Sequence, residues 1–275
     1  MNNVDFANME FAPRIINAPL ELGFPAICKV ISAASDELIA LSTESCTGTL
    51  ITPNLVLLAS HCFERTKLSR VAIFTLKDSE IEVPIKKVYF QSFFDSAEFS
   101  KAFGEQLLDI LHTDFAIAEL ELPVNPNFVK PLPMMLAEEF SKQVIQGKVK
   151  ELKFVGFGKT SLNAEATSET KRSFTFNDFK LDLNKGLLKV KANQNDRQQQ
   201  VAVYSGDSGG AYIASIDGID YIVSVLSYVE FDTQGFPYQS VSTLLDFPVR
   251  FFKTSILSGY EQTEAPLGYG YPNKK

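Results

Sequence analysis

The sequence predicts an all-β protein built in two halves, and three observations carry that prediction. Runs such as VAIF, KKVYF, LKFVGF and DYIVSVLSYVEF recur along the chain. Each is short and rich in branched and aromatic residues, as strands are. These runs do not alternate with long helical patterns, which argues against a parallel α/β sheet. The segment PVNPNFVKPLPM, with four prolines in twelve residues, reads as an extended connector between strand-rich stretches of about 25–122 and 147–244.

Two helices are expected beside the strands. SAEFSKAFGEQLLDILH places Phe99, Phe103, Leu107, Ile110 and Leu111 at helical spacing. LDFPVRFFKTSIL reads as a final helix with Pro248 tolerated in its first turn. The residues after it, 258–275, read as an unstructured tail.

Composition narrows the function. A net charge of −7 gives no basic footprint for nucleic acid. No apolar run reaches 18 residues, so no membrane-spanning helix is expected. The opening MNNVDFANMEFAPR lacks the basic and apolar regions of a signal peptide. Cys28, Cys46 and Cys62, with two His and no CxxC pair, do not make a structural zinc site. By count alone the thiols read as free and buried; at most one pair can bridge.

YSGDSGGAY, residues 204–212, places three glycines around an Asp-Ser pair. Glycine weakens regular elements, so the cluster implies an unusual backbone or a close approach. A polar turn is the plainer reading, but Gly-Asp-Ser-Gly-Gly is expected by chance in only roughly one such chain in a few thousand. The run also satisfies G-x-S-x-G, the nucleophile elbow of α/β-hydrolases. In that fold the acid and the histidine follow the serine, whereas His61 and His112 both precede Ser208. A serine hydroxyl needs a neighbouring base, best a histidine oriented by a carboxylate. His61 and His112 are both candidates, with Asp114 as the acid, and spacing alone does not separate them.

Wording around these residues does. ASHC, TDFAIAEL and GDSGG, in that order, resemble the histidine, aspartate and nucleophile segments of the chymotrypsin/trypsin-like serine endopeptidases. CTGTLI, VGFGK, VKPLPM and IVSVLSY resemble further segments of that family, and the resemblance covers about residues 15–257. It implies two antiparallel six-stranded β-barrels with the active site between them and a C-terminal helix. Residues 1–14 are then a propeptide or tail, and 15–124 the N-terminal barrel with His61 and Asp114. Residues 125–257 hold the connector, the C-terminal barrel with Ser208 and the final helix.

The resemblance implies Ser208 as nucleophile, His61 as general base and then acid, and Asp114 as its orienting carboxylate. The N–H groups of Gly206 and Ser208 form the oxyanion hole. Cys46 and Cys62, 16 residues apart, match a family disulfide, which implies an oxidising compartment and export. Arg14-Ile15-Ile16-Asn17 stands where family zymogens are cut, so an activating protease would free an ammonium at Ile15 to pair with Asp207. An incidental Arg-Ile bond in a tail is the plainer reading.

The pocket departs from the trypsin pattern. Ala202 stands where enzymes that bind Lys or Arg carry an aspartate, so a small or medium uncharged P1 residue is expected. Ser227 and Val229 lie on the substrate strand, and the remaining wall is Ser240 or Phe236, with Ser240 favoured. Tyr204 replaces a common family cysteine. TLKDSEIEV sits at the family's calcium-loop position, but Asp78, Glu80 and Glu82 alternate as an exposed strand does, and no metal is expected. Cys28 reads as a buried free thiol. No cofactor is implied; the expected partners are polypeptide substrates and an activating protease, with no nucleic acid or membrane, and a monomer is favoured. The rival reading is a protease-like binding module that has lost catalysis.

Overall fold

The computed structural model describes residues 18–33, 35, 45–63, 69–90, 113–159, 166–193 and 201–251. The expected 96–112 helix, Arg14, Ile15 and His112 lie outside them. Strands β1 (Ile27–Ala33), β2 (Cys46–Thr52), β3 (Leu55–Leu58), β4 (Ser69–Thr75), β5 (Glu80–Phe90) and β6 (Ala116–Leu120) close into a barrel in the order β1-β2-β3-β6-β5-β4.

The second half holds β7 (Leu152–Gly156), β8 (Arg172–Phe176), β9 (Phe179–Asp182), β10 (Leu187–Lys191), β11 (Ala211–Ile216), β12 (Ile219–Phe231) and β13 (Pro237–Leu244). They form a curled seven-stranded sheet, β8-β7-β11-β12-β13-β10-β9, whose outer strands are not joined, rather than a closed six-stranded barrel. Every named strand pairing is antiparallel.

Three cores explain the continuous apolar runs. In β3, Val56 and Leu58 point into the barrel, while Leu55 and Leu57 face the second half. In β11, Tyr212, Ala214 and Ile216 fill the second half's interior, while Ala211 and Ile213 face the first. A strand buried on both faces loses the apolar–polar alternation of a strand with one wet side. The two halves meet across this shared core.

The proline-rich segment, expected to be extended, makes a turn after Asn125, whose carbonyl accepts the Phe128 (3.0 Å) and Val129 (3.1 Å) N–H groups. Val124 N–H donates to Pro53 (2.7 Å) and Leu132 N–H to Leu50 (3.0 Å) on the first half. Met135 N–H then donates to Ile222 (2.9 Å) on the second. Helix α1 (Ala137–Ile145) follows and was not expected from the sequence. Its signals are modest: Glu138 and Glu139 in the first turn, a Glu138–Lys142 ion pair, and Gly147 at φ 71° just beyond its end. Helix α2 (Asp246–Phe251) opens the expected final helix, and Asp246 Oδ1 accepts the Ala137 N–H of α1 at 3.1 Å.

Lys171 ties the halves on another side. Its buried ammonium donates to the carbonyls of Gly23 (3.1 Å), Phe24 (3.0 Å) and Thr75 (3.1 Å). Burial lowers its pKa to about 8, against the opposing pull of Cys28 and Glu21. Cys28 is buried and unbridged in β1.

Cys46 at the start of β2 is bridged to Cys62. The bond closes the turn that carries His61. Replacing both cysteines by alanine is expected to cost about 2–4 kcal/mol, read from urea unfolding of the oxidised protein against the variant.

Candidate active site

Strand register brings His61 and Asp114 together. Leu58, at the end of β3, pairs with Ala116, at the start of β6. The chain leaving β3 and the chain entering β6 therefore lie side by side. Ser60–Cys62 forms one 3-10 turn, and Ser60 Oγ donates to the Phe115 carbonyl, fixing that turn to the approach of β6.

Asp114 has no exposed surface. Its Oδ2 lies 2.7 Å from His61 Nδ1, its Oδ1 accepts the His61 backbone N–H at 3.0 Å, and Ser227 Oγ donates to Oδ2. With the Nδ1 hydrogen directed at Asp114, the neutral ring carries its lone pair on Nε2. Burial pulls the imidazole pKa down, but the Asp114 charge and hydrogen bond outweigh it, and the net shift is upward from 6.5. The Ser227 hydroxyl, expected at the substrate pocket, is spent on the aspartate.

Ser208 lies three residues before β11, on a loop pressed against the histidine turn. Its carbonyl accepts Thr47 N–H at 2.9 Å and lies 3.6 Å from Cys62 Sγ. Gly209 N–H donates to the Leu226 carbonyl and Leu226 N–H to the Gly210 carbonyl, both at 2.8 Å. Those bonds seat the loop beside Ser227, whose hydroxyl reaches Asp114. A side chain at Gly209, where φ is 81°, would come within 2.6 Å of the Thr47 carbonyl and 2.7 Å of the Ala59 nitrogen. The glycine after the serine is what lets the two loops touch.

The carbonyls of residues 206, 207 and 208 are all occupied: by Thr47 Oγ1 (2.9 Å), Gly210 N–H (2.9 Å) and Thr47 N–H (2.9 Å). The N–H groups of Gly206 and Ser208 donate to nothing among the described residues. Asp207 is wholly buried, with Oδ1 accepting Gly158 N–H (2.8 Å) and Oδ2 accepting Tyr204 N–H (2.9 Å). A side chain at Gly156 or Gly158 would come within 2.1 or 2.3 Å of that carboxyl, so VGFGK makes the room for it. Burial raises the Asp207 pKa to about 7 despite the two amide hydrogen bonds. No cation pairs with it among the described residues.

Ala202, Val229 and Ser240 line one narrow cavity of about 10 Å³, and its lining residues include no acid and no Phe236. Val229 and Ser240 are cross-strand partners. Tyr212, which nothing in the sequence singled out, lines the same cavity.

Thr47 was missed as well. The reading of CTGTLI compared it with a family glycine, and a threonine in a strand looks ordinary. Yet this fully buried residue bonds Gly206 and Ser208, and its Oγ1 accepts Phe157 N–H at 3.1 Å. Thr47→Val keeps the shape and strands two buried backbone groups. A loss of about 1–3 kcal/mol is expected in urea unfolding, with Thr47→Ser recovering most of it.

A family model described as Trypsin matches residues 32–247, well over half of the 275 residues. Comparison with curated proteins finds no match. The matched span runs from β1 to the first turn of α2 and takes in the histidine turn, the buried aspartate and the GDSGG loop. On that match, and on a fold of two β halves around this cleft, the chain belongs to the trypsin family, whose members are mostly serine endopeptidases.

Proposed function

We propose that the chain is a serine endopeptidase of non-basic P1 preference, exported and made as a zymogen. The observation that carries this reading is the buried Asp114 carboxylate. It accepts His61 from the first half and Ser227 from the second, beside the loop bearing Ser208.

In this reading His61 Nε2 takes the Ser208 Oγ proton as the oxygen attacks the scissile carbonyl. Asp114 stabilises the imidazolium that forms. The oxyanion takes the N–H groups of Gly206 and Ser208, each worth about 3–4 kcal/mol in the transition state. His61 returns the proton to the leaving amine, and an acyl group remains on Ser208. Water, activated by the same imidazole, releases it.

Asp207 supports activation by cleavage at Arg14-Ile15. A buried carboxyl whose pKa is near 7 and which has only amide donors is stabilised by any cation that reaches it. A freed Ile15 ammonium supplies one. The acid-free cavity supports an uncharged P1 residue, and the Cys46–Cys62 bridge supports an oxidising compartment.

A fluorophosphonate probe tests the reading on the intact chain, the trypsin-cut chain and the Ser208→Ala variant. Labelling that follows cleavage at Arg14-Ile15 and vanishes in the variant is expected. Labelling before the cut removes the zymogen step; a folded protein starting at Ile15 that never labels removes the enzyme.

The pH profile is a second test. Catalysis needs neutral His61, whose pKa is raised, so kcat/KM is expected to fall with acid around a midpoint above 6.5. Asp114→Asn removes the raising charge. It is expected to lower that midpoint and to cut kcat roughly 10⁴-fold; an unmoved midpoint would separate Asp114 from the titrating imidazole.

A further inference from the structure

Tyr212 is fully buried and sits four residues after Ser208 on β11, with its ring held from two sides. Phe154 lies 5.0 Å away with the planes tilted at 58°, and Phe176 packs edge-on at 5.8 Å. Its hydroxyl meets Ser240 Oγ at 2.6 Å, and Ser240 Oγ donates onward to the Val190 carbonyl at 3.3 Å. Because Ser240 spends its hydrogen on Val190, the phenol is the donor to Ser240. Both hydroxyls are satisfied, and the phenol cannot swing away without leaving buried polar groups unpaired.

The ring borders the cavity lined by Ala202, Val229 and Ser240, the residues that the family resemblance assigns to the substrate pocket. Ala202, Val203, Val229 and Ser240 are the walls of the cavity, and Tyr212 and Phe176 contribute the aromatic part of its lining. The space they leave, about 10 Å³, has room for about one water. Ala202 and the other lining residues bring no acid to this space, and the buried phenol bounds it.

Resting on the protease reading above, we propose that Tyr212, locked by Ser240, is a specificity-determining residue. It closes the base of the P1 pocket and restricts cleavage to bonds that follow glycine, alanine or serine. The substrates are then polypeptides with small residues at the cut, and large aromatic or aliphatic P1 side chains are rejected by the phenol rather than by the pocket mouth alone.

The test compares wild type, Tyr212→Phe and Tyr212→Leu after limited trypsin cleavage and removal of the trypsin, on peptides varied only at P1. Wild type and Tyr212→Phe, which both keep the ring, are expected to favour Ala and Ser over Leu and Phe by at least tenfold. Tyr212→Leu is expected to invert that ratio, by at least tenfold towards Leu and Phe. A wild type that prefers large P1 residues overturns the proposal, as does a folded Tyr212→Leu with an unchanged profile.

Binding keeps the question open to test if no turnover occurs, which would be the failure of the protease reading and not of this one. Thermal shift with tetrapeptides ending in Ala or Phe is then read on the Ser208→Ala protein, with and without Tyr212→Leu. Stabilisation by the Ala peptide alone, changing to the Phe peptide with Tyr212→Leu, supports the proposal. Any other pattern, including no stabilisation by either peptide, overturns it.

Discussion

A carboxylate with no contact with water must find its donors inside the protein, since an unpaired buried charge costs several kcal/mol. Asp114 draws them from His61, by both ring and backbone, and from Ser227 on the far side of the cleft. To meet that requirement β3 and β6 must be neighbours in their observed register, and β12 must run close past their ends. The arrangement of the two halves and the orientation of the imidazole are therefore one constraint seen from two sides.

The serine loop obeys a second version of the same rule. Its three carbonyls are occupied by Thr47 and Gly210, and Asp207 is bound by amides of Gly158 and Tyr204. With its acceptors spent inward, the loop keeps the N–H groups of Gly206 and Ser208 uncommitted among the described residues. Glycines at 156, 158 and 209 matter because backbone or carboxyl atoms stand where a side chain would. The apolar core shared by Leu57, Ile117, Phe157 and Ile213 holds both loops at that distance.

Much of this was legible in the chain. Strand-rich halves and the start of the final helix follow from local patterns that the surroundings do not overrule. The motif segments lie on the elements that carry them into one cleft. What escaped was local in sequence but not in cause. Helix α1 is short, and its first N–H is capped by Asp246, 109 residues away. Ser227 was read as pocket lining because its strand borders the cleft, yet its hydroxyl turns to Asp114. Ser240, which the sequence favoured over Phe236, lines the cavity, and register with Val229 is what places it there.

By itself the sequence determined that the chain is a two-part β protein of this family, with a serine, a histidine and an aspartate in the family's order. Short apolar runs and clustered glycines are statements about the backbone that hold wherever the segment folds. Only the tertiary structure decided that Thr47 pins the serine loop and that Tyr212 lines the same cavity as Ala202. A hydroxyl's partner and the space left beside a ring depend on residues brought close from distant parts of the chain. Strand alternation tells which face Tyr212 occupies; it does not tell that Ser240 will be waiting there.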